Sequence, residues 1–155
     1  MKVILTTGGL TLPGEPGLGY YGHSLLLPDG GRLDFAGGAP GLICGLAAEY
    51  LALLHGLEFA VSHGATEVVA CVASNPLYQQ VLGRWSVRQP ELMSLHLQVK
   101  SAARRFAKSS LRLVAATEAD ECYKLAIAHF IEKVEQGNQQ RAAGIADSSV
   151  LERGE

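Results

Sequence analysis

The sequence predicts an α/β protein with a mixed five-stranded sheet and helices on its faces. Three observations predict this fold class. The turn Pro28-Asp29-Gly30-Gly31 lies between two strand-like segments and is typical of a β-hairpin. Apolar residues recur at helical spacing over residues 46–63. Beyond them, short apolar segments alternate with helical ones. Three antiparallel strands followed by strands that alternate with helices indicate a mixed sheet.

The first three strands are predicted by apolar segments separated by glycine and proline. They cover residues 2–7, 19–27 and 32–36. A Gly/Pro-rich stretch over residues 8–17 separates the first two strands, and the hairpin turn joins the second to the third. Residues 37–41 are predicted to form a loop. The first third of the chain is therefore expected to be an antiparallel meander.

The later elements alternate between helices and strands. They are a helix over 46–63, a strand over 67–73, a short helix to residue 82, a helix over 90–108, a strand over 111–115 and a helix over 118–135. Gly64 suits the end of the first helix. Ser74 is predicted to cap the short helix, with Asn75 and Pro76 in its first turn. The polar, aperiodic composition near the end predicts a domain of residues 1–135 and a disordered tail of residues 136–155.

Composition favours a globular protein of one domain. The chain has 155 residues, of which 48% are hydrophobic and 18% charged, enough for a packed core. Its three cysteines form no CxxC pair, which favours reduced thiols and a cytoplasmic location over a disulfide framework or a zinc site. The first residues predict no signal peptide. No apolar run approaches the roughly 20 residues that span a bilayer, so no membrane partner is expected.

Three local motifs occur in an order that resembles a known family. They are Gly14-Glu15-Pro16-Gly17 with Gly22; Ala48-Glu49-Tyr50 with Ala52-Leu53 and Gly56-Leu57; and Ser74 with Leu77, Gln80, Gly83 and Trp85. Together, over roughly residues 2–130, they resemble ribonuclease H type 1. This resemblance implies a ribonuclease H-like fold. It also implies the family's chemistry, metal-dependent hydrolysis of the RNA strand of RNA–DNA hybrids.

The carboxylates of that family are mostly missing here. Glu49 is its sole remaining catalytic carboxylate. The other positions fall on Thr7 or Gly9, on Ala73, and on or near Lys124. Two magnesium ions need several converging carboxylates, and a lysine would oppose a cation. The resemblance therefore implies a degenerate member with no bound metal and no cofactor.

Other interpretations stay open for Glu49 and its neighbourhood. Asp120 or Glu121 could join Glu49 in a rearranged site for Mg²⁺ or Mn²⁺. Alternatively, Glu49 is an acid near a helix N-terminus, stabilised by the helix dipole. The family's Thr-Asn-Asn segment, which contacts RNA, corresponds to Cys44-Gly45-Leu46. The five histidines show no metal-ligand spacing.

A basic segment is the second candidate site. Residues 84–112 hold seven basic residues against Glu91 alone, a local balance of +6. Lys100, Arg104 and Lys108 follow i, i+4, i+8 spacing and are predicted to line one helix face. The predicted nucleic-acid-binding residues are Arg84, Trp85, Arg88, Lys100, Arg104, Arg105 and Lys108. A solvated helix face is the competing interpretation.

These observations favour a ribonuclease H-like protein that is catalytically inactive and binds an RNA/DNA hybrid or RNA through the basic helix stripe. An active metal-dependent ribonuclease H with rearranged carboxylates is the first alternative. The second is a self-associating or protein-binding module that takes no nucleic acid. A homodimer or another protein partner stays open in each case.

Overall fold

The computed structural model describes the backbone of residues 1–154 and the side chains of residues 1–140. The strands of this part are β1 Lys2–Leu12, β2 Gly17–Leu26, β3 Arg32–Ile43, β4 Glu67–Val72 and β5 Lys108–Leu113. The helices are α1 Gly45–Ser62, α2 Asn75–Val81, α3 Pro90–Ala103 and α4 Asp120–Gly154, and a short 3₁₀ turn, Ala116–Ala119, precedes α4.

The five strands form one mixed sheet in the order β3-β2-β1-β4-β5. β1 pairs antiparallel with β2, and β2 pairs antiparallel with β3. β1 and β5 each pair parallel with β4. α1 packs on one face of the sheet together with α3, and α4 packs across β1, β2 and β3 on the opposite face. The predicted α/β fold class is confirmed.

The hairpin turn between β2 and β3 and the N-terminal cap of α2 are as the sequence predicts. The amide of Leu27 donates to the carbonyl of Gly31 at 2.8 Å, which closes the hairpin between β2 and β3. Gly30 has φ of 89°, a conformation that glycine adopts without strain. Ser74 accepts a hydrogen bond from the amide of Leu77 and caps α2, as predicted.

β1 and β3 are longer than predicted, because their glycines serve close packing. β1 continues through Gly8 and Gly9 to Leu12, and β3 continues through residues 37–41 to Ile43. A Cβ at Gly37 would stand 2.8 Å from the Tyr21 ring, so glycine lets this ring lie close to the strand. The predicted loop over residues 37–41 is therefore wrong.

α3 is shorter than predicted, and this changes the basic stripe. The helix ends at Ala103, Arg104 is its C-cap, and Lys108 is the first residue of β5. Phe106 is buried in the core, and the amide of Ala107 donates to the carbonyl of Thr66 beside β4. The chain must leave the helix to make these contacts. The predicted alignment of three basic residues on one helix face is wrong.

α4 runs past Glu135, where the sequence predicts its end, to Gly154. The predicted division into residues 1–135 and a disordered tail stays a prediction, and much of that tail, residues 141–155, falls outside the described side chains. None of the helices in the described residues is long and apolar enough for a membrane span.

Candidate functional site

Glu49 lies on the inner face of α1, one turn into the helix, and is buried (8% exposed). Its Oε1 accepts a hydrogen bond from the backbone amide of Gly9 on β1 at 2.6 Å. Its Oε2 accepts one from the hydroxyl of Tyr123 on α4 at 3.1 Å. One carboxyl group therefore joins α1, β1 and α4.

The environment of Glu49 changes its protonation. Burial raises the pKa of its carboxyl from 4.5 to about 7, while the hydrogen bonds from Gly9 and Tyr123 lower it by less. Burial and the neighbouring Glu49 carboxylate raise the pKa of the Tyr123 hydroxyl. Near neutral pH, Glu49 is therefore a mixture of charged and neutral forms.

β1 approaches α1 too closely for a side chain at the position next to Glu49. A Cβ at Gly9 would overlap the carbonyl of Ala48, and a Cβ at Gly8 would stand 3.1 Å from the Tyr123 ring. Thr7 is buried and packs towards α1 beside Gly56. Neither position that the family resemblance assigns to the first aspartate can present a ligand to a metal ion.

The α4 side chain that faces Glu49 is Tyr123, not Lys124. Lys124 is exposed, and its Nζ lies 3.0 Å from a carboxylate oxygen of Asp120 and 3.6 Å from one of Glu121. These two acids raise the pKa of Lys124. The expectation that Lys124 would oppose a cation at the site is therefore corrected. Asp120 and Glu121 hold Lys124 on the outer side of the helix.

The residues present do not fit a two-metal centre. Within residues 1–140, no group of three His, Cys, Asp or Glu side chains is placed to hold a metal ion. Glu49 uses both oxygens within the protein, and the position after β4 is Ala73.

A cavity of about 620 Å³ opens beside Glu49 and Tyr123. Glu15 is a second carboxylate on its wall. Its oxygens accept the amide of Gly45 at 2.9 and 3.0 Å and the hydroxyl of Thr11 at 3.0 Å. Glu15 thus occupies the N-terminus of α1, where a negative charge is favourable. The dipole interpretation given to Glu49 fits Glu15 instead.

Two further cavities extend this one into a groove. One of about 410 Å³ shares Glu15, Gly45 and Leu46 with the first and is also lined by Arg88. One of about 280 Å³ shares Gln80 and Ser86 with the second and is lined by Trp85. The groove therefore runs from Glu49, past the N-terminus of α1, to Trp85.

α3 divides the predicted binding residues into two groups. Arg84, Trp85 and Arg88 precede the helix, whereas Lys100, Arg104, Arg105 and Lys108 lie at or beyond its last turn. The helix has 14 residues, so the groups stand about 20 Å apart. Arg84 lies over the Tyr78 ring at 5.9 Å, and Trp85 is 48% exposed. Only the first group adjoins the groove.

A buried histidine pair is a feature that the sequence does not predict. His23 on β2 is fully buried, and its Nε2 lies 2.9 Å from Nδ1 of His55 on α1. Burial, then the charge on His55, lower the pKa of His23 to about 4. The rings pack with Phe35 and Phe59. The two histidines are 32 residues apart, so spacing carries no signal.

The strand order and the carboxylate on the first helix after the meander together define a ribonuclease H-like protein. A family model described as reverse transcriptase-like matches residues 14–129, and the chain belongs to this ribonuclease H-like family. The bifunctional protein Rv2228c of Mycobacterium tuberculosis is 33% identical over 115 residues. That match covers 70% of this chain but 30% of the relative, so the chain spans less than a third of that protein.

Solved structures show the same fold. The N-terminal RNase H domain of rv2228c from Mycobacterium tuberculosis is 29% identical, with a TM-score of 0.77, over 83% of this chain and 98% of that one. RNase H1 from Halobacterium salinarum is 23% identical, with a TM-score of 0.81, over 85% and 99%. LC11-RNase H1, solved in complex with an RNA/DNA hybrid, is 20% identical, with a TM-score of 0.73, over 81% and 94%.

Proposed function

We propose that this chain binds nucleic acid, an RNA/DNA hybrid or RNA, without catalysing two-metal hydrolysis. The hydrogen bonding and burial of the Glu49 carboxyl group are the main support for this proposal. Its two oxygens accept hydrogen bonds from Gly9 and Tyr123, and burial leaves the carboxyl partly neutral near pH 7. Hard cations such as Mg²⁺ need charged, accessible oxygens in near-octahedral geometry. The groups next to the Glu49 oxygens are instead a glycine amide and a tyrosine hydroxyl, and neither is a carboxylate.

The groove supports the nucleic-acid part of the proposal. Arg88 supplies positive charge on its wall, and Trp85 presents an exposed ring at its far end. A backbone phosphate near Arg88 and a base stacked on Trp85 are the usual contacts of a bound single strand. The complex of LC11-RNase H1 with an RNA/DNA hybrid also supports this class of ligand.

The second basic group extends the proposed contact. Lys100 lines a separate apolar cavity, while Arg104, Arg105 and Lys108 are exposed beyond the end of α3. At about 20 Å from Arg88, they would reach backbone phosphates a few nucleotides away. We therefore expect Arg88 and Trp85 to contribute most, and the second group to add a salt-dependent share.

A cleavage assay tests the proposal that the protein does not hydrolyse RNA. The protein is incubated with a labelled RNA/DNA hybrid and Mg²⁺ or Mn²⁺, beside Glu49→Gln as a matched variant. We expect no cleavage by either protein. Cleavage by the wild type that disappears in Glu49→Gln would overturn this half and establish the metal-dependent alternative with rearranged carboxylates.

A binding assay tests the proposal that the protein binds nucleic acid. Trp85 is the single tryptophan, so its fluorescence reports directly on ligand in the groove. We expect hybrid or RNA to quench it, and the affinity to fall steeply between about 50 and 200 mM salt. Arg88→Glu should weaken binding more than Arg104→Glu with Arg105→Glu, and Lys133→Glu on α4 should have no effect. No quenching at low salt would contradict nucleic-acid binding.

A further inference from the structure

A cavity of about 240 Å³ lies on the α1 side of the sheet, between α3 and the edge strand β5. Core side chains of three elements form its floor: Leu53 and Leu57 of α1, Val68 and Ala70 of β4, and Val99 of α3. Each of them is at most 3% exposed. α3 packs against α1 and leaves β5 largely exposed, so a gap remains between the helix and the strand. The cavity therefore has an apolar floor and opens at the edge of the sheet.

Small side chains preserve this space. Ala70 on β4, Ala103 at the end of α3 and Ser109 on β5 all line the cavity, and a larger side chain at any of them would reduce it. Protein interiors are otherwise packed with few voids larger than a water molecule. At about 240 Å³, the cavity exceeds the roughly 150 Å³ that admits one benzene molecule in a protein core. In proportion, it has room for an apolar body of about ten non-hydrogen atoms.

Lys100 brings a positive charge to the wall of this cavity. The side chain is half-buried, and no carboxylate among residues 1–140 lies within ion-pair distance of its Nζ. His96, one turn earlier on α3, is also basic: burial, then the charge on Lys100, lower the pKa of His96. The methylene stem of a lysine can follow an apolar wall, but partial desolvation of the ammonium group costs free energy unless an anion pairs with it. The favourable partner for Lys100 is therefore an anion at the opening of the cavity.

Ser109 adds a hydroxyl group to the same wall. In the parallel pairing of β4 with β5, Ser109 lies beside Val68, and Leu111 lies beside Ala70. Paired residues, and alternate residues along a strand, share one face of a sheet. The hydroxyl of Ser109 is therefore on the face that carries the cavity floor, and it can donate a hydrogen bond to a carboxylate oxygen. An apolar floor is thus combined with one ammonium group and one hydroxyl group.

We infer that this cavity binds a small monocarboxylate with an aromatic or aliphatic body of about eight to ten carbons. The body lies on the apolar floor, and the carboxylate pairs with Lys100 and Ser109. A monoanion matches the single cationic side chain on the wall, whereas a phosphate ester carries a charge of about −1.5 to −2. An apolar pocket with a few placed polar groups is the usual form of a small-molecule site. None of the lining residues belongs to the groove between Glu49 and Trp85, so the inference is independent of that groove.

Calorimetric titration of the whole chain with 3-phenylpropanoate tests the inference. Because Lys100 also belongs to the second basic group, the titration contains no nucleic acid. We expect saturable binding at one site per chain, and about tenfold weaker binding of the neutral analogue 3-phenylpropanamide. Lys100→Met keeps an unbranched apolar side chain without the charge, so it should raise the Kd of the acid about tenfold and leave that of the amide unchanged. Lys108→Met on β5, outside the cavity lining, is the matched control and should change neither Kd.

A cavity-filling variant tests the location. Ala103→Leu places a larger side chain in the cavity and should abolish binding of both compounds.

Circular dichroism confirms that each variant is folded, and Ser109→Leu on the exposed strand β5 decides the question if Ala103→Leu unfolds. In the wild type, nuclear Overhauser contacts should join the ring protons of the acid to the methyl groups of Leu57 and Val99.

Three results would overturn the inference. The first is no saturable binding of 3-phenylpropanoate up to about 10 mM. The second is binding that persists in folded Ala103→Leu or Ser109→Leu, or Overhauser contacts to methyl groups outside the cavity. The third is equal affinity of the wild type for the acid and its amide, which would show that Lys100 does not select a carboxylate.

Discussion

The buried carboxyl of Glu49 should make the protein less stable as the pH rises. Its pKa is about 7 in the folded protein and 4.5 as the ordinary value, so the folded state holds a proton that the unfolded chain releases. The contribution to stability is therefore fully present below pH 4.5 and is lost as the pH rises through 7. At about 1.4 kcal/mol per unit of pKa, the full change is about 3 kcal/mol.

Glu49→Gln isolates this contribution. Glutamine keeps an oxygen that can accept the Gly9 amide, and its NH₂ group can donate to the Tyr123 oxygen, but it has no titrating proton. Between pH 5 and pH 8, the wild type should lose about 2 to 3 kcal/mol of unfolding free energy relative to the variant. In urea this equals a relative shift of about 1 to 2 M in the midpoint.

Urea unfolding followed by circular dichroism at several pH values measures the difference. All other ionisable groups are present in both proteins, so their effect cancels in the comparison. Glu132→Gln, an exposed carboxylate on α4, is the control and should track the wild type. The reasoning would be refuted if the unfolding free energy of the wild type, relative to that of Glu49→Gln, stayed constant or increased from pH 5 to pH 8.

Two further predictions concern the packing around α1. Gly9→Ala should destabilise the protein by several kcal/mol, because its Cβ would overlap the Ala48 carbonyl, whereas Gly14→Ala has open space and should be nearly neutral in thermal unfolding. Equal melting temperatures for the two variants would contradict the close contact. In the second prediction, the wild type should lose about 3 kcal/mol of unfolding free energy as the pH falls from 6.5 to 4, because the folded pKa of His23 is lowered to about 4. His23→Phe has no imidazole to protonate, so it should not show this loss. Acid unfolding of this variant identical to the wild type would show that another group dominates.

The element order could be predicted because each segment has its own local signal. The turn at residues 28–31, the periodicity of α1 and the Ser74 cap depend on neighbours within a few residues. The ends of β1, β3 and α3 could not, because contacts distant in sequence determine them. Gly37 lies against the Tyr21 ring, 16 residues earlier in the chain, and Phe106, just beyond the end of α3, is buried in the core.

From the sequence, Glu49 could be chosen as a candidate, but its surroundings could not be predicted. The motif around Glu49 singles out the residue, and the missing aspartates indicate that its neighbours differ from those of the family. Tyr123 and the amide of Gly9 replace them, and neither is visible from residue type, since a backbone amide is present at every non-proline residue. The same limit applies to the basic residues, whose grouping depends on where α3 ends.

The contact between Gly9 and Ala48 also limits how the sequence can change. An aspartate at Gly9 would need α1 to move away first, and moving α1 would break the hydrogen bond that holds Glu49. No single substitution at this position can therefore add a metal ligand to the existing backbone. A metal ligand at Gly9 therefore requires a change in the packing of α1 as well as the new side chain.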